Sequence, residues 1–351
     1  MKKLVSIGAL AAVSALTLAA CSSAPEESGS SSTAAATDTP AASLDYTACM
    51  VSDSGGFDDK SFNQAGFEGL QQAKADLGIE VSTAESTSDA DFAPNIAAMV
   101  DAGCDLTITV GFLLGDATAE AATSNPDSSF AIIDVTYEDS FDNLKSLTFE
   151  TDEAAFLAGY AAAASSKTGV VGTFGGIQIP SVTIFMDGFL SGVEYYNEAK
   201  GADVQVLGWD GENGSFTGDF SDQTKGQSTA QGFIDQGADI ILPVAGPVGL
   251  GAAAAAQAAG DVWIIGVDSD WTLTTEYADI ILTSIMKNMG PAVYDVVKTS
   301  AEDGFSSEAY VGTLENGGVG VSAFAANTVD EATDAEIQEI SAGIIDGSIE
   351  P

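Results

Sequence analysis

From Tyr46 onward the chain alternates short β-branched runs with segments of helical spacing, and this alternation constrains the fold more than any other feature. Residues 48–52, 79–84, 106–110, 130–135 and 147–149 predict a first series of strands, and 170–174, 204–207, 240–244, 262–267 and 280–283 a second. Helical spacing fills the gaps, at 63–76, 95–102, 153–165, 183–197, 229–236 and 250–259. Nearly continuous apolar strands separated by helices are the pattern of parallel sheets covered on both faces, because a parallel connection must cross the sheet. Two five-strand series therefore predict an α/β protein of two doubly wound parallel-sheet lobes. After residue 283 come a helix at 287–300, an apolar run at 319–324 and a helix near 335–345. None of these is large enough to stand alone, so they are expected to return and complete the lobes across a hinge. The expected division is 46–150 with 284–312 in lobe 1, and 151–283 with 313–351 in lobe 2. In such sheets ligands sit at the carboxyl ends of the strands.

Charge removes several chemistries. The 351 residues carry 52 acids against 10 basic residues, a net charge of −42, and every basic residue is lysine. Without histidine there is no Ser–His or Cys–His dyad and no His-ligated metal. Without arginine there is no guanidinium fork for phosphate or carboxylate. So acidic a surface repels nucleic-acid backbones, and no nucleic-acid partner is expected. The 45% hydrophobic content and 38 glycines nevertheless describe a packed protein.

The first residues stand apart from that pattern. Met1-Lys2-Lys3 is a basic head, residues 4–18 are mostly apolar, and Leu18-Ala19-Ala20-Cys21 closes the segment. This is a secretory signal over residues 1–20 with a cysteine directly after a small-residue cleavage site. It resembles the bacterial lipobox, in which Cys21 would become the lipid-bearing N-terminus. Loss of Lys2 and Lys3 leaves eight basic residues against 52 acids, a mature charge of −44. Residues 22–43 are rich in Ser, Ala, Thr and Pro and contain no aromatic residue. Such a stretch cannot bury enough surface to order itself, so residues 21–45 are expected to be a tether with a reach on the order of 25 Å. Cys49 and Cys104 remain. If strands 48–52 and 106–110 are parallel neighbours, both cysteines lie at the same end of the sheet. Outside the cytoplasm they are a disulfide candidate, the alternative being two buried free thiols.

The strand-end loops carry the chemistry. After the first strand comes Asp53-Ser54-Gly55-Gly56-Phe57-Asp58-Asp59-Lys60-Ser61-Phe62-Asn63-Gln64. Its glycines allow a sharp turn, and Ser61 or Asn63 is positioned to cap the following helix. Phe62 at that helix start is either core or a platform for a flat ligand. Asp58, Asp59 and Asp222 read as solvated turn or capping carboxylates. The run Gly246-Pro247-Val248-Gly249-Leu250-Gly251 lacks the Gly-x-Gly-x-x-Gly spacing of a dinucleotide site.

The loop from Asp53 to Gln64, with Gly66 and Glu68-Gly69 after it, resembles the basic membrane protein family of lipoproteins. That family includes the purine nucleoside receptor A type of substrate-binding protein for ABC importers. The similarity continues through Val110-Gly111-Phe112, Phe130-Ala131-Ile132-Ile133-Asp134, Phe156-Leu157-Ala158-Gly159-Tyr160, Asp187-Gly188-Phe189, Phe220-Ser221-Asp222, Ala245-Gly246, Gly266-Val267-Asp268 and Thr283-Ser284 with Lys287. The resemblance implies a type I periplasmic-binding-protein-like fold and a non-catalytic receptor, without cofactor or metal, that delivers nucleosides, purine nucleosides foremost, to an ABC permease. It further implies a monomer on the extracytoplasmic face, touching the membrane only through its N-terminal lipid. Carried over by position, Phe62 and Phe220 would stack the two faces of the base, with Phe216 and Trp209 as alternatives for the second ring. Asn63 and Asp134 would read the base edge, Asp268 would accept from two ribose hydroxyls, Lys287 would donate to the sugar, Gly246 would admit its close approach, and Asp53 would join the site. Two positions depart from the family pattern, Asn288 and Ile184, where arginine is common in relatives.

Aromatic faces and carboxylates with one lysine suit an uncharged, flat, hydroxyl-rich ligand and repel a phosphorylated one. Two rival readings remain at this level. Asp53 with Gly56-Phe57-Asp58-Asp59 superficially resembles the calcium-binding start of nucleoside hydrolases, and carboxylates bind calcium without histidine. The same fold also serves receptors for sugars or other small signal molecules.

Overall fold

The computed structural model describes residues 44–351. The expected signal segment, Cys21 and residues 21–43 of the expected tether lie outside the described residues. Twelve strands are defined in the described part: β1 (Thr47–Ser54), β2 (Glu80–Ser86), β3 (Leu106–Val110), β4 (Ser129–Ile133), β5 (Leu144–Phe149), β6 (Val170–Gly175), β7 (Gln205–Leu207), β8 (Ile240–Val244), β9 (Trp263–Asp268), β10 (Ile281–Lys287), β11 (Tyr310–Gly312) and β12 (Val319–Val321). They form two six-stranded sheets, ordered β11-β5-β4-β3-β1-β2 and β12-β10-β9-β8-β6-β7. Every pairing is parallel except β10 with β12. The expected α/β architecture of two doubly wound sheets is therefore the observed one.

The ten α-helices of the described part are α1 (Phe62–Leu77), α2 (Phe92–Asp101), α3 (Gly115–Ser124), α4 (Thr151–Ser165), α5 (Pro180–Lys200), α6 (Gln223–Ile234), α7 (Val248–Ala259), α8 (Trp271–Thr274), α9 (Met289–Glu302) and α10 (Glu331–Ile345). All five residues of β3 and of β8 are buried, as expected for strands with helices on both faces. Pro243 sits inside β8, and the β8–β9 ladder ends at Ile241 because proline has no N–H to continue it. Helices approach closely where side chains vanish. A Cβ on Gly159 of α4 would lie 2.2 Å from the Phe189 carbonyl of α5, and one on Gly69 of α1 would lie 2.1 Å from the Gly290 carbonyl of α9.

Three elements have no counterpart in the sequence reading. Helix α3 is built mainly from Gly, Asp, Ala and Thr, with too little apolar contrast to show a face, α8 is four residues long and β11 only three. Strand β10 runs four residues beyond the expected end at 283, so Ser284–Lys287 pair with β9 and β12 in the second sheet. A disulfide joins Cys49 of β1 to Cys104, just ahead of β3, across 55 residues of sequence.

Three crossings link the sheets: β5 to α4, β10 to α9, and β11 to β12. They are tied to one another. The Glu150 N–H donates to the Gly312 carbonyl at 2.8 Å, and the Leu314 N–H donates to Glu153 Oε2 at 2.6 Å. Asn288 donates its backbone N–H to Gly318 at 2.9 Å and its side-chain amide to Gly317 at 2.7 Å. Asn288 thus links the second crossing to the third.

Candidate functional site

Both sheets reverse their strand order at equivalent places, between β1 and β3 and between β6 and β8, and their carboxyl ends face a shared cleft. The cleft holds about 590 Å³ of free space when its open mouth is included. Asp53, Phe62, Asn63, Asp134, Phe220, Gly246, Asp268 and Lys287 all line it. The first four come from lobe 1 and the other four from strands and loops of the second sheet. Asp134 and Asp268 hold left-handed backbone angles, φ 68° and 69°, which aspartate tolerates better than most residues and which turn each strand end sharply at the cleft. Gly246 has φ 51°, and a Cβ there would meet nothing within 4 Å, so its role is conformational rather than spatial.

The start of α1 organises the lobe 1 wall. Asp59, not Ser61 or Asn63, caps this helix: its carboxylate accepts the backbone N–H groups of Ser61 at 2.9 Å, Asn63 at 2.9 Å and Gln64 at 3.0 Å. Asp222 caps α6 through the Thr224 N–H at 2.9 Å, while Asp58 is exposed and pairs with Lys60. Freed from capping, the Ser61 hydroxyl donates across the cleft to Asp268 Oδ2 at 2.9 Å. The Asn63 amide donates to Asp53 Oδ1 at 2.8 Å and Asp59 Oδ2 at 3.1 Å. Gly111 completes this wall. A Cβ there would fall 2.6 Å from Asp53 Oδ2 and 3.2 Å from the Phe62 ring, so glycine is what lets carboxylate and ring sit side by side.

Of the three aromatic candidates on the lobe 2 side, Phe220 lines the cleft. Trp209 and Phe216 pack edge-on at 5.9 Å, with the Trp209 indole N–H donating to Asp187 at 2.8 Å and Phe216 lying on Gly175. Phe220 rests directly on Gly176, where a Cβ would come within 2.3 Å of its ring. Phe112 and Phe185 also line the cleft and were not singled out from sequence, nor were Ser61 and Asp59 as parts of the network. The shared Ser61-Phe62-Asn63 tripeptide was the available signal for Ser61. Nothing local marks Phe185, which sits mid-turn in α5.

Lys287 lies at the centre. Its ammonium pairs with Asp134 Oδ2 at 2.5 Å, both side chains being almost fully buried, and stands 5.1, 5.3 and 5.8 Å from the ring centres of Phe62, Phe185 and Phe149. Burial pushes the Asp53 carboxyl up to about 7, the Asn63 hydrogen bond opposing and Asp59, Asp134 and Asp268 reinforcing the rise. Burial likewise pushes Asp268 up to about 6, against the pull of Lys287 and Ser61. Asp134 is raised by burial and held back by Lys287. Raised carboxyl values mean that the folded state binds protons more tightly than the unfolded chain, so stability falls as pH climbs from about 4 to 7. The stability advantage of Asp53→Asn over the wild type should therefore grow between pH 5 and pH 8 by on the order of 2 kcal/mol, with the variant melting higher at pH 8. Equal melting curves at pH 8 would show that the Asp53 carboxylate costs the fold nothing.

Among the described residues, no group of three or more His, Cys, Asp or Glu side chains is arranged to hold a metal ion, and no helix is long and apolar enough to cross a membrane. Comparison with known proteins adds the decisive observation: residues 46–350 match the Bmp family of PnrA-like ABC transporter substrate-binding proteins. The chain belongs to this family. A relative from Lactococcus lactis subsp. cremoris, described as an ABC transporter nucleoside-binding protein BmpA, is 32% identical over 99% of this chain and 98% of its own. Basic membrane protein A of Borreliella burgdorferi is 34% identical over 84% of each chain. An ABC transporter solute-binding protein from Aeropyrum pernix has a solved structure that superposes with a TM-score of 0.79 and 27% identity, covering 87% of this chain and 92% of its own. The Bmp match spans both sheets and all three crossings, so it applies to the whole two-lobed body.

Proposed function

We propose that this Bmp-family protein captures nucleosides, purine nucleosides foremost, outside the cytoplasm and hands them to an ABC permease while anchored by a lipid on Cys21. The observation that carries this reading is the pairing of Phe62 and Phe220 on facing walls of a cleft otherwise lined by carboxylates and Lys287. Two rings offer both faces of a base a platform, and Asp268 offers acceptors to sugar hydroxyls. A phosphate would meet Asp53, Asp134 and Asp268 with one buried ammonium to offset them, which favours nucleoside over nucleotide. The similarity to a nucleoside-binding relative supports the same ligand class. Lobe closure over the ligand follows from the hinge geometry.

Calorimetry against purine nucleosides, pyrimidine nucleosides, free bases and sugars tests the reading. Purine nucleosides should bind, and Phe62→Ala should weaken them by roughly 5- to 100-fold, the equivalent of about 1–3 kcal/mol of stacking. Binding of a sugar with failure of guanosine, inosine and adenosine would refute it. Release of hypoxanthine from inosine in the presence of calcium would assign the cleft to an enzyme instead.

A further inference from the structure

The three rings around the Lys287 ammonium differ in what else they touch. Phe62 and Phe185 line the cleft, whereas Phe149, 5% exposed at the end of β5, does not. A ligand in the cleft therefore competes for the first two rings and leaves the third to the ammonium, which stands over it at 5.8 Å. Phe149 is also the last strand residue before the first crossing, and it pairs in register with Gly312, the last strand residue before the third. A Cβ on Gly312 would fall 2.5 Å from the Phe149 ring, and one on Gly318 would fall 2.3 Å from the Gly312 Cα, so the ring and the two glycines are stacked without slack. The Gly318 carbonyl accepts the backbone N–H of Asn288, the residue after Lys287 in the second crossing. Contacts thus run from Lys287 through Phe149, Gly312, Gly318 and Asn288 back to Lys287, and each crossing supplies a member.

We infer that Phe149 is a positioning residue that couples the hinge to the ligand site. Its face holds the Lys287 ammonium and its edge bears on Gly312, so a lobe rotation that shifts Gly312 against the ring also shifts the ammonium. Close-packed side chains pass such a displacement on rather than absorb it. Closure delivers the ammonium to the ligand and opening withdraws it, although Phe149 lies outside the cleft lining. This rests on the nucleoside reading above and deepens it.

The test replaces Phe149 in turn by its mono-, di- and trifluorinated forms and titrates each protein with inosine by calorimetry. Fluorine withdraws charge from the ring face while leaving the side chain close to its original size. Inosine affinity should fall stepwise, by about tenfold in all for the trifluorinated ring. A ring that only fills space would leave the series flat. Gly312→Ala places a methyl group against the ring edge, outside the cleft lining, and should weaken inosine about tenfold alone but less than about threefold beside Phe149→Leu. A fluorination series flat to within about twofold, or a Gly312→Ala loss undiminished beside Phe149→Leu, would overturn the inference and leave the nucleoside reading intact. Failure of the wild-type protein to bind any nucleoside would overturn both.

Discussion

Lys287→Met is expected to weaken nucleoside binding by 100-fold or more and to open the cleft. The ammonium is the partner of a buried carboxylate, Asp134, in a site that already holds Asp53, Asp59 and Asp268. Removing one member of a buried ion pair leaves the other uncompensated, at a cost of about 3–5 kcal/mol. A two-lobed protein can relieve that cost without unfolding, because Lys287 belongs to the second sheet and Asp134 follows β4 of the first. The variant should therefore show a larger radius of gyration in solution scattering, together with the affinity loss that 3 kcal/mol implies. Lys287→Met combined with Asp134→Leu separates the electrostatic role from ligand contact. Apolar replacement of both partners should restore the compact form, as buried pairs are often exchanged for packed side chains at little cost. It should not restore binding, since the donor is gone. An affinity loss below tenfold in the single variant would mean that the pair contributes little to the closed state.

The same residue shows what a sequence reading can and cannot reach. Strand periodicity located β3 and β8 to the residue, because strands covered on both faces are uninterrupted apolar runs. It also put Asp53, Asp134 and Asp268 at strand ends, and a doubly wound fold turns strand ends into a cleft. The sequence pattern ends the strand holding Lys287 at 283 and assigns Lys287 to the start of the helix at 287–300, since Ser284 and Lys287 are polar. Their neighbours β9 and β12 bury them, which only tertiary pairing reveals. The cap of α1 was misplaced for a related reason. Ser61 and Asn63 have cap chemistry, but Asp59 reaches three N–H groups by folding back over the turn, and the competition among them is settled in three dimensions. Phe185 and the bond from Ser61 to Asp268 join segments more than 80 residues from their partners and leave no local trace.

Reducing the Cys49–Cys104 disulfide, or replacing both cysteines with alanine, is expected to lower unfolding stability by about 4 kcal/mol. The chain-entropy relation for a cross-link spanning 55 residues gives that figure, through the freedom the bond removes from the unfolded chain. Ligand affinity should move by less than threefold. Cys49 lies near the amino end of β1, whereas Asp53 near its other end lines the cleft, and the intervening Met50 and Val51 are held by ladders to both β2 and β3. Cys49 is fully buried, so a mild reductant should act only when the fold opens, and the stability loss should appear as a shifted urea midpoint rather than a changed native state. A disulfide of this kind persists in an oxidising compartment and would be kept reduced in the cytoplasm. Protein made in a reducing cytoplasm and kept reduced should therefore show the lower midpoint, and oxidation should raise it. If reduced and oxidised forms unfold at the same urea concentration, the bond contributes nothing that the parallel ladder between β1 and β3 does not already supply.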